Sequence, residues 1–327
     1  MEEIKTYLQP GLELVNNFIN AALQSDIQLL DSTNRSLREH PGKMMRPMLA
    51  LLVAQAAGIA TPPPEDTYRY AAATELLHNA TLLHDDVVDG AKQRRGAPTV
   101  ASILSSQASV LIGDYWLVKC MQVVLSSSAK ADRVIRIFAK TLSDLAEGEI
   151  LQLQKAGDAT TTEEDYLRII YCKTASLFEA SALAAAVSAG APERVENALG
   201  SYARNLGLAF QIKDDIFDYS APEAEVGKPV GIDLLEQKIT QPLLCALEKA
   251  TPPEAADIRG KVRSIMDNPA LADEIRAFVL EKDGVALASI KQDYYIEKAI
   301  SCLETLSDSP EKSYLAELAR YVGSRTV

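Results

Sequence analysis

Apolar residues recur at intervals of three and four along almost the whole chain, as in the segments 104–124, 134–153 and 166–189. This period is typical of α-helices, and we find no convincing run of the two-residue alternation that marks a strand. Proline and glycine turn signals divide the pattern into roughly ten helices joined by short loops. The pattern therefore predicts an all-α fold, a large helical bundle. Because no Ser/Gly-rich linker interrupts it, we expect a single domain over residues 1–327.

Composition and charge exclude several classes of function. The 327 residues include 45 acidic and 33 basic side chains, for a net charge of −12. A general nucleic-acid binder needs a broad basic face, so none is expected here. The four cysteines are far apart and form no CxxC pair, which argues against a zinc site or a disulfide framework and favours the cytoplasm. Neither a secretory signal nor an integral membrane segment is expected.

Three aspartates interrupt an apolar helical segment at residues 82–89, LLHDDVVD. On a helix, Asp85 and Asp89 lie about 40° apart on one face, and Asp86 flanks them. Carboxylates this close repel one another, and apolar surroundings raise the cost of keeping them ionised. A divalent cation would remove both difficulties. We call Asp85, Asp86 and Asp89 the first aspartate motif.

The same spacing returns at residues 210–218, FQIKDDIFD, where Asp214, Asp215 and Asp218 form the second aspartate motif. A single such cluster is as readily a solvated helix face, because short motifs often occur by chance. Two copies with apolar flanks make that interpretation weak. Hard oxygen ligands in this number suit Mg²⁺, which shares its coordination sphere with water and substrate phosphates. The sequence therefore predicts a metal-bound diphosphate as ligand.

Basic residues accompany both motifs. Lys43 and Arg46 are about one helical turn apart, and Arg94 and Arg95 follow the first motif after a short turn. Arginine forks and lysine charges are the usual groups that bind diphosphates. Surface ion pairs would explain Arg94 and Arg95 taken alone. That explanation weakens because the second half of the chain has its own set: Lys173, Lys228 and Lys238.

In order along the chain, these motifs resemble those of the trans-isoprenyl diphosphate synthases, which extend allylic diphosphates with isopentenyl diphosphate. The resemblance rests on GKMMRP at 42–47, ELLHNATLLHDDVVD at 75–89, RRG at 94–96, GD at 113–114, EGE at 147–149, KTASLFEAS at 173–181, FQIKDDIFD at 210–218 and GKPVGIDLLEQKITQP at 227–242. It implies the isoprenoid synthase fold, with helices around a central hydrophobic cavity, a homodimer, and three Mg²⁺ ions when diphosphate is bound.

The resemblance also implies roles for single residues. Direct metal ligands are Asp85, Asp89 and Asp214, with Asp86, Asp215 and Asp218 supporting the metal waters. The residues that would bind the allylic diphosphate are Arg94, Lys173, Gln211 and Lys228, with Lys238 nearby. Those that would bind isopentenyl diphosphate are Lys43, Arg46, His78 and Arg95. Thr174 and Gln211 would turn oxygen dipoles towards a carbocation. For His84 we expect a core position instead.

Product length should depend on the helix that carries the first aspartate motif. Short-chain synthases of this family place bulky aromatics four or five residues before the first aspartate, where this chain has Thr81 and Ala80. Leu77 is the next candidate to block the cavity. The chain also lacks the two-residue insertion in the first motif that some shorter-chain synthases carry. We therefore expect an all-trans product of about octaprenyl length, made from farnesyl diphosphate and suited to a quinone side chain.

Several alternatives stay open. A geranylgeranyl or farnesyl diphosphate synthase would share the motifs. A terpene cyclase would carry an Asn/Ser/Glu motif in place of residues 214–218, and a non-catalytic prenyl-binding partner subunit usually loses one aspartate motif. The chain departs from the family at Gln237, where glycine is common, which puts the role of Lys238 in question. Arg320 and Arg325 are all that represents the family's basic C-terminal tail, and neither is given a role.

Overall fold

A computed structural model describes residues 1–39, 42–57, 62–127, 130–220 and 231–325. Most of these residues are helical, which confirms the predicted all-α class. The chain divides into two compact units. The first unit comprises Met1–Ala139, Ala180–Gly200 and Glu304–Leu315, and the second comprises Lys140–Glu179, Ser201–Leu303 and Ala316–Val327. A single domain over 1–327 stays a prediction.

The described helices outnumber the roughly ten predicted, because short connecting segments are helical too. They are α1 Glu2–Ala22, α2 Gln28–Glu39, α3 Met45–Ala56, α4 Glu65–Val88, α5 Val100–Ile103, α6 Ser106–Leu125, α7 Ala131–Asp158, α8 Glu163–Ile170, a π-helical turn Tyr171–Ala175, α9 Ser176–Ser188, α10 Glu193–Ser220, α11 Ile232–Leu235, α12 Gln241–Glu248, α13 Pro252–Ser264, α14 Leu271–Glu281, α15 Gly284–Cys302, a 3₁₀ turn Leu303–Thr305 and α16 Pro310–Ser324.

Hydroxyl side chains fix where several helices begin. The Ser105 hydroxyl accepts a hydrogen bond from the Ala108 N–H at the start of α6. Thr162 and Asp165 form a reciprocal capping box at the start of α8, with hydrogen bonds of 3.0 and 3.2 Å. Such caps satisfy N–H groups that have no partner within the helix, so the sequence defines these boundaries locally.

In the first unit, α4 is the central helix, and it packs most extensively against α6 and also against α1 and α3. Leu76, Leu77 and Ala80 on α4 are fully buried. A helix that buries residues on all sides lacks a polar face, which is why its aspartates stand out in the sequence. The C-terminal end of α4 carries the first aspartate motif.

In the second unit, α10 carries the second aspartate motif and packs into a core shared with α8, α12 and α15. Ile212 and Ile216 of α10, Tyr166 of α8 and Leu243 of α12 are buried in that core. These isoleucines flank the aspartates at helical spacing, so burying them fixes which way the aspartate face of α10 turns.

A two-stranded hairpin follows α4. Strand β1, Gln93–Arg94, pairs antiparallel with strand β2, Ala97–Pro98. The turn residues Arg95 and Gly96 have φ angles of 52° and 77°. Two-residue loops with positive φ at both positions are the turns that match the twist of a hairpin. The apolar pattern did not predict this hairpin, because two residues are too few to show alternation.

Two helical stretches, Ser106–Leu125 and Glu163–Ser188, have the length and apolar composition needed to cross a membrane. This is weak evidence, because the core helices of soluble proteins pass the same test. About a third of the apolar window of the first stretch is buried within the protein, and 78% of that of the second. Much of the apolar surface of α6 is therefore exposed.

Candidate active site

The first aspartate motif separates one buried carboxylate from two more accessible ones. The Asp86 side chain is only 5% exposed and accepts a hydrogen bond of 2.6 Å from Nε of Arg94. Asp85 is half-buried, and Asp89, at the C-terminal end of α4, is exposed. The hairpin thus supplies the counter-ion for the carboxylate that α4 buries. This arrangement is compatible with the predicted division between direct ligands and a supporting Asp86.

In the first unit, residues that are predicted to bind isopentenyl diphosphate lie close enough to His78 to influence its charge. Burial lowers the pKa of His78 well below its usual value, and the nearby guanidinium groups of Arg46, Arg95 and Arg94 lower it further. His78 is therefore neutral at pH 7. Glu75, one turn earlier, is buried; burial raises its pKa while Arg46 and Arg95 act in the opposite direction. The effect of burial is the larger, so the pKa of Glu75 is raised, and Glu75 is the acidic residue within this basic cluster.

Gly42 explains how the GKMMRP segment approaches Arg95. A Cβ atom built on Gly42 would lie 2.6 Å from Nη2 and 2.8 Å from Cζ of Arg95. Only glycine lets the backbone lie this close to the guanidinium group in its present position. Lys43, the next residue, is exposed.

Both residues of the GD motif lie next to His84 of α4. A Cβ atom on Gly113 would lie 2.3 Å from Nε2 of His84, and that nitrogen is 3.4 Å from Oδ1 of Asp114 and 3.3 Å from the Val110 carbonyl oxygen. The His84 side chain is 30% exposed. The core position expected for His84 is therefore wrong: it lies in the contact between α4 and α6, where Gly113 provides the space.

The second aspartate motif also buries its middle carboxylate, but neutral donors hold it. Asp215 accepts hydrogen bonds of 2.6 Å from the Tyr166 hydroxyl and 2.9 Å from Nε2 of Gln211. Burial raises the pKa of Asp215 well above its usual value, and the charge of Asp233 raises it further. Asp218 accepts backbone N–H bonds of 3.0 to 3.2 Å from residues 231–233.

Asp214, a predicted metal ligand, forms an ion pair with Arg325. Nη2 of Arg325 lies 2.5 Å from Oδ1 of Asp214, and the Arg325 side chain is 5% exposed against 39% for Asp214. The guanidinium group stacks on the Phe210 ring, 4.0 Å from its centroid, and Nη2 donates a 3.0 Å hydrogen bond to the Phe210 carbonyl oxygen. The sequence left Arg325 without a role, and its partners lie more than a hundred residues away.

Lys173 and Thr174 lie in the π-helical turn Tyr171–Ala175. Single π-helical turns inside α-helices are frequent at functional sites. Two glycines let neighbouring helices approach this turn: a Cβ on Gly148 of α7 would lie 2.5 Å from Cβ of Cys172, and one on Gly207 of α10 would lie 2.5 Å from Cα of Ala175. The EGE segment, and the part of α10 just before the FQIKDDIFD segment, thus lie close to the π-helical turn.

Contacts of the π-helical turn fix two predicted site residues. Nζ of Lys173 is 2.6 Å from Oε2 of Glu149 and 3.1 Å from Oε1 of Gln152, both on α7. The Thr174 hydroxyl donates a 2.7 Å hydrogen bond to Oε1 of Gln211. The two residues predicted to turn dipoles towards a carbocation are therefore in contact. Glu149 is a site residue that the sequence showed only as part of EGE.

Around Lys238, the structure adds Asp233 and explains Gln237. Lys238 pairs with Glu236 and lies 4.0 Å from Oδ1 of Asp233. Burial, together with the charge of Asp218, raises the pKa of Asp233 to about 7. Gln237 has a φ of 60°, the left-handed region that favours glycine, and its Nε2 donates to the carbonyl oxygens of Val262 and Arg263 at the end of α13. Lys228 lies outside the described residues.

The predicted chain-length residues lie on α4. Leu77 and Ala80 are fully buried. Thr81 is half-buried, and its hydroxyl donates a 2.8 Å hydrogen bond to the His78 carbonyl oxygen one turn earlier. The hydroxyl of Thr81 is thus satisfied within its own helix, and the residue presents a small side chain. The role of all three in product length stays a prediction.

The chemistry of the donor set fits a hard divalent cation, because every predicted ligand is a carboxylate oxygen. Across the described ranges, no group of three or more His, Cys, Asp or Glu side chains is already gathered as a metal cluster. Burial and neighbouring acidic groups raise the pKa values of Asp215, Asp218 and Asp233, so these carboxylates are costly to ionise. A bound cation would offset that cost.

Comparisons with known proteins agree with the motifs. The sequence profile of the polyprenyl synthetase family matches residues 27–278. Octaprenyl diphosphate synthase from Haemophilus influenzae is 37% identical over 319 residues, 98% of this chain and 95% of that protein. A polyprenyl synthase from Caulobacter crescentus, solved with calcium and isoprenyl diphosphate, gives a TM-score of 0.91 at 33% identity, covering 100% of this chain and 98% of that one. A decaprenyl diphosphate synthase from Rhodobacter capsulatus gives 0.90 at 34% identity, covering 100% and 99%. These matches confirm the predicted isoprenoid synthase fold and prenyltransferase class, and the chain belongs to the polyprenyl synthetase family.

Proposed function

We propose that this chain condenses isopentenyl diphosphate repeatedly with an allylic diphosphate to give an all-trans polyprenyl diphosphate of about octaprenyl length. The observation that carries the proposal is a shared arrangement of the two aspartate motifs. In each, the protein buries the middle carboxylate and satisfies it, while a flanking predicted ligand, Asp89 or Asp214, keeps an accessible surface. Carboxylates held in this way are ready to receive cations that arrive with a diphosphate.

Three Mg²⁺ ions are the proposed cofactor, with Asp85, Asp89 and Asp214 as direct ligands. When bound, the metal supplies positive charge that stabilises the departing diphosphate. Arginine and lysine side chains complete the neutralisation, and among them Arg94 and Lys173 are pre-positioned by their partners Asp86 and Glu149. No side-chain nucleophile is needed, because the allylic carbon–oxygen bond breaks with its electron pair going to the diphosphate.

The isopentenyl diphosphate is held by Arg46, Arg95, Lys43 and His78 in this proposal. Because His78 is neutral at pH 7, it can donate one hydrogen bond to the diphosphate without adding to the charge of the guanidinium groups. The double bond of the bound isopentenyl diphosphate then forms the new carbon–carbon bond with the allylic cation. The resulting tertiary cation loses a proton to the released diphosphate, and the product is an allylic diphosphate longer by five carbons.

The proposed product length rests on the small residues of α4. Ala80 and Thr81 leave space at the positions where shorter-chain synthases of the family carry aromatics. Elongation would therefore continue past the geranylgeranyl stage from a farnesyl diphosphate primer. The relatives named above make octaprenyl and decaprenyl diphosphates, which supports a long chain suited to a quinone tail.

A homodimer explains the exposed face of α6 in this proposal. Leu111, Val118 and Leu125 are exposed at intervals of seven residues, so they line one side of the helix. Exposed apolar side chains aligned along one helix face are typical of an association surface. Analytical ultracentrifugation of the purified chain tests this point, and a monomer at micromolar concentration would contradict it. The cytoplasm is the proposed location.

Incorporation of labelled isopentenyl diphosphate tests the proposed reaction. With farnesyl diphosphate and Mg²⁺ the wild-type chain should form an extractable labelled lipid, and excess EDTA should stop the reaction. Asp85→Asn and Asp214→Asn should each lower the rate about a hundredfold or more. Asp308→Asn, which changes an exposed carboxylate paired with Lys312, is the control and should leave the rate unchanged. No elongation by the wild-type chain would contradict the proposal.

A further inference from the structure

Four side chains of the second unit form a continuous hydrogen-bonded series. The Tyr166 hydroxyl donates to Oδ2 of Asp215 at 2.6 Å, and Nε2 of Gln211 donates to Oδ1 of the same carboxylate at 2.9 Å. The Thr174 hydroxyl then donates to Oε1 of Gln211 at 2.7 Å. Tyr166 and Asp215 are buried, with 3% of their surface exposed. We call this series the Tyr166 relay.

The amide of Gln211 determines the direction of the hydrogen bonds between Asp215 and Thr174. Its Nε2 donates to Oδ1 of Asp215, so the NH₂ group of the amide faces the carboxyl group. The opposite amide orientation would place two oxygens against each other. The amide oxygen of Gln211 then faces Thr174, and the Thr174 hydroxyl must donate. Its hydrogen is therefore committed to Gln211, and its lone pairs point away from that bond.

We propose that Tyr166 is a positioning residue that, through Asp215 and Gln211, fixes the Thr174 hydroxyl with its oxygen lone pairs directed at the allylic cation. This inference rests on the proposed function, because it assigns the origin of an oriented dipole in the ionisation step. In that step the allylic carbon–oxygen bond breaks, the electron pair leaves with the diphosphate, and positive charge remains on the allylic carbons. A dipole that is oriented beforehand stabilises this charge without reorganising as it develops.

The surroundings of the relay make its geometry rigid. Tyr166 belongs to the apolar core of the second unit, so its ring cannot follow a moving carboxylate. Thr174 lies on the π-helical turn, which Gly207 allows α10 to approach until a Cβ there would be 2.5 Å from Cα of Ala175. Both ends of the relay are thus anchored in backbone elements. In metal sites, mutating a residue that only hydrogen-bonds to a ligating side chain commonly costs tenfold to a hundredfold in activity, and we expect an effect of similar size here.

Tyr166→Phe tests the inference, because it keeps the ring and removes only the hydroxyl. Tyr295 packs against the same core, and Tyr295→Phe is the matched control. Tyr166→Phe should lower kcat by about tenfold while the KM values for farnesyl and isopentenyl diphosphate change less than about twofold. Tyr295→Phe should leave kcat and both KM values at the wild-type level.

A double-mutant cycle separates positioning from a general loss of structure. If Tyr166 acts through Thr174, then Tyr166→Phe should have no further effect on kcat in a Thr174→Val background. If Tyr166→Phe does not fold, Gln211→Leu replaces it in the same cycle, since it interrupts the relay and keeps the tyrosine. A wild-type kcat for Tyr166→Phe, or losses that multiply in the cycle, would overturn the inference. A wild-type chain that forms no product would overturn the proposed function and the inference with it.

Discussion

The two aspartate motifs have the same spacing but balance their charge in different ways. In the first, the buried carboxylate is Asp86, and a charged group, Arg94, holds it. In the second, the buried carboxylate is Asp215, held by the neutral donors Tyr166 and Gln211, while the arginine, Arg325, pairs with the more exposed Asp214. Identical spacing on a helix therefore fixes where carboxylates lie and leaves open which of them receives a counter-ion.

This difference has an energetic consequence. Removing a counter-ion from a buried carboxylate leaves a charge that water cannot reach, which costs several kcal/mol. Removing one from a half-exposed carboxylate leaves a charge that water can solvate. The first motif should thus depend on its arginine for stability far more than the second does.

The largest effect is expected for Arg94→Met, which keeps an apolar side chain and removes the charge. Because Asp86 would remain buried without its ion pair, the free energy of unfolding should fall by about 3 kcal/mol. Urea denaturation measures this, with Arg320→Met, a change at an exposed arginine, as control. A loss below about 1 kcal/mol would show that Asp86 finds another partner or takes up a proton at little cost.

Gly207→Ala tests how closely α10, which carries the second motif, approaches the π-helical turn. The added Cβ would meet Cα of Ala175 at 2.5 Å, a backbone atom that cannot turn aside, so α10 must move away from the π-helical turn. We expect a loss of stability of about 2 kcal/mol and a matching loss of activity. The control is Gly260→Ala on α13, where the nearest atom is 3.9 Å away and alanine should stabilise the helix by roughly 0.5–1 kcal/mol. Equal effects at both glycines would contradict the close approach.

A pH dependence should distinguish the second motif when divalent cations are absent. The pKa of Asp233 is raised from 3.8 to about 7, so the folded protein takes up a proton that the unfolded chain releases. Stability from this group is present at low pH and is lost as the pH rises from about 4 to about 7. Asp233→Asn should therefore be more stable than the wild type at pH 8, and the difference in the free energy of unfolding should disappear near pH 4.

Thermal unfolding in EDTA at several pH values checks this prediction. Asp267→Asn, at an exposed position, serves as the control. If the stability difference between Asp233→Asn and the wild type were the same at pH 4 and pH 8, the effect of the substitution would not come from protonation of Asp233.

The smallest effect is expected for Arg325→Met. Asp214 is 39% exposed, so water can replace much of what the arginine supplies, and methionine can still pack on Phe210. The free energy of unfolding should fall by about 1 kcal/mol, roughly a third of the Arg94→Met effect. Urea denaturation of both variants under the same conditions measures this difference in the free energy of unfolding. Equal losses would mean that burial of the carboxylate does not decide the cost.

The sequence was sufficient for the helices and for the positions of both aspartate motifs, because helical period and short spacing are local properties. The pairing of Asp86 with Arg94 is nearly local too, since only eight residues separate them. Tyr166 and Arg325 could not be found in this way: they reach Asp215 and Asp214 across 49 and 111 residues, and a tyrosine or arginine carries no sign of its partner.

Two further features depend on backbone conformation, which residue types indicate only loosely. The hairpin at residues 93–98 is too short to show a strand pattern, although the RRG segment contains the glycine of its turn. Gln237 occupies a left-handed position where glycine would be expected, and its side chain offsets this by donating to two carbonyl oxygens at the end of α13. That compensation involves residues 25 and 26 positions away, which local sequence does not reveal.

Product chain length tests the proposed long-chain synthesis. The purified chain is incubated with Mg²⁺, farnesyl diphosphate and an excess of isopentenyl diphosphate, and the dephosphorylated lipids are separated against all-trans polyprenol standards. We expect a product well beyond geranylgeraniol, centred near octaprenol. A product that stops at geranylgeraniol or earlier would contradict the open space assigned to Ala80 and Thr81, and with it the long-chain function.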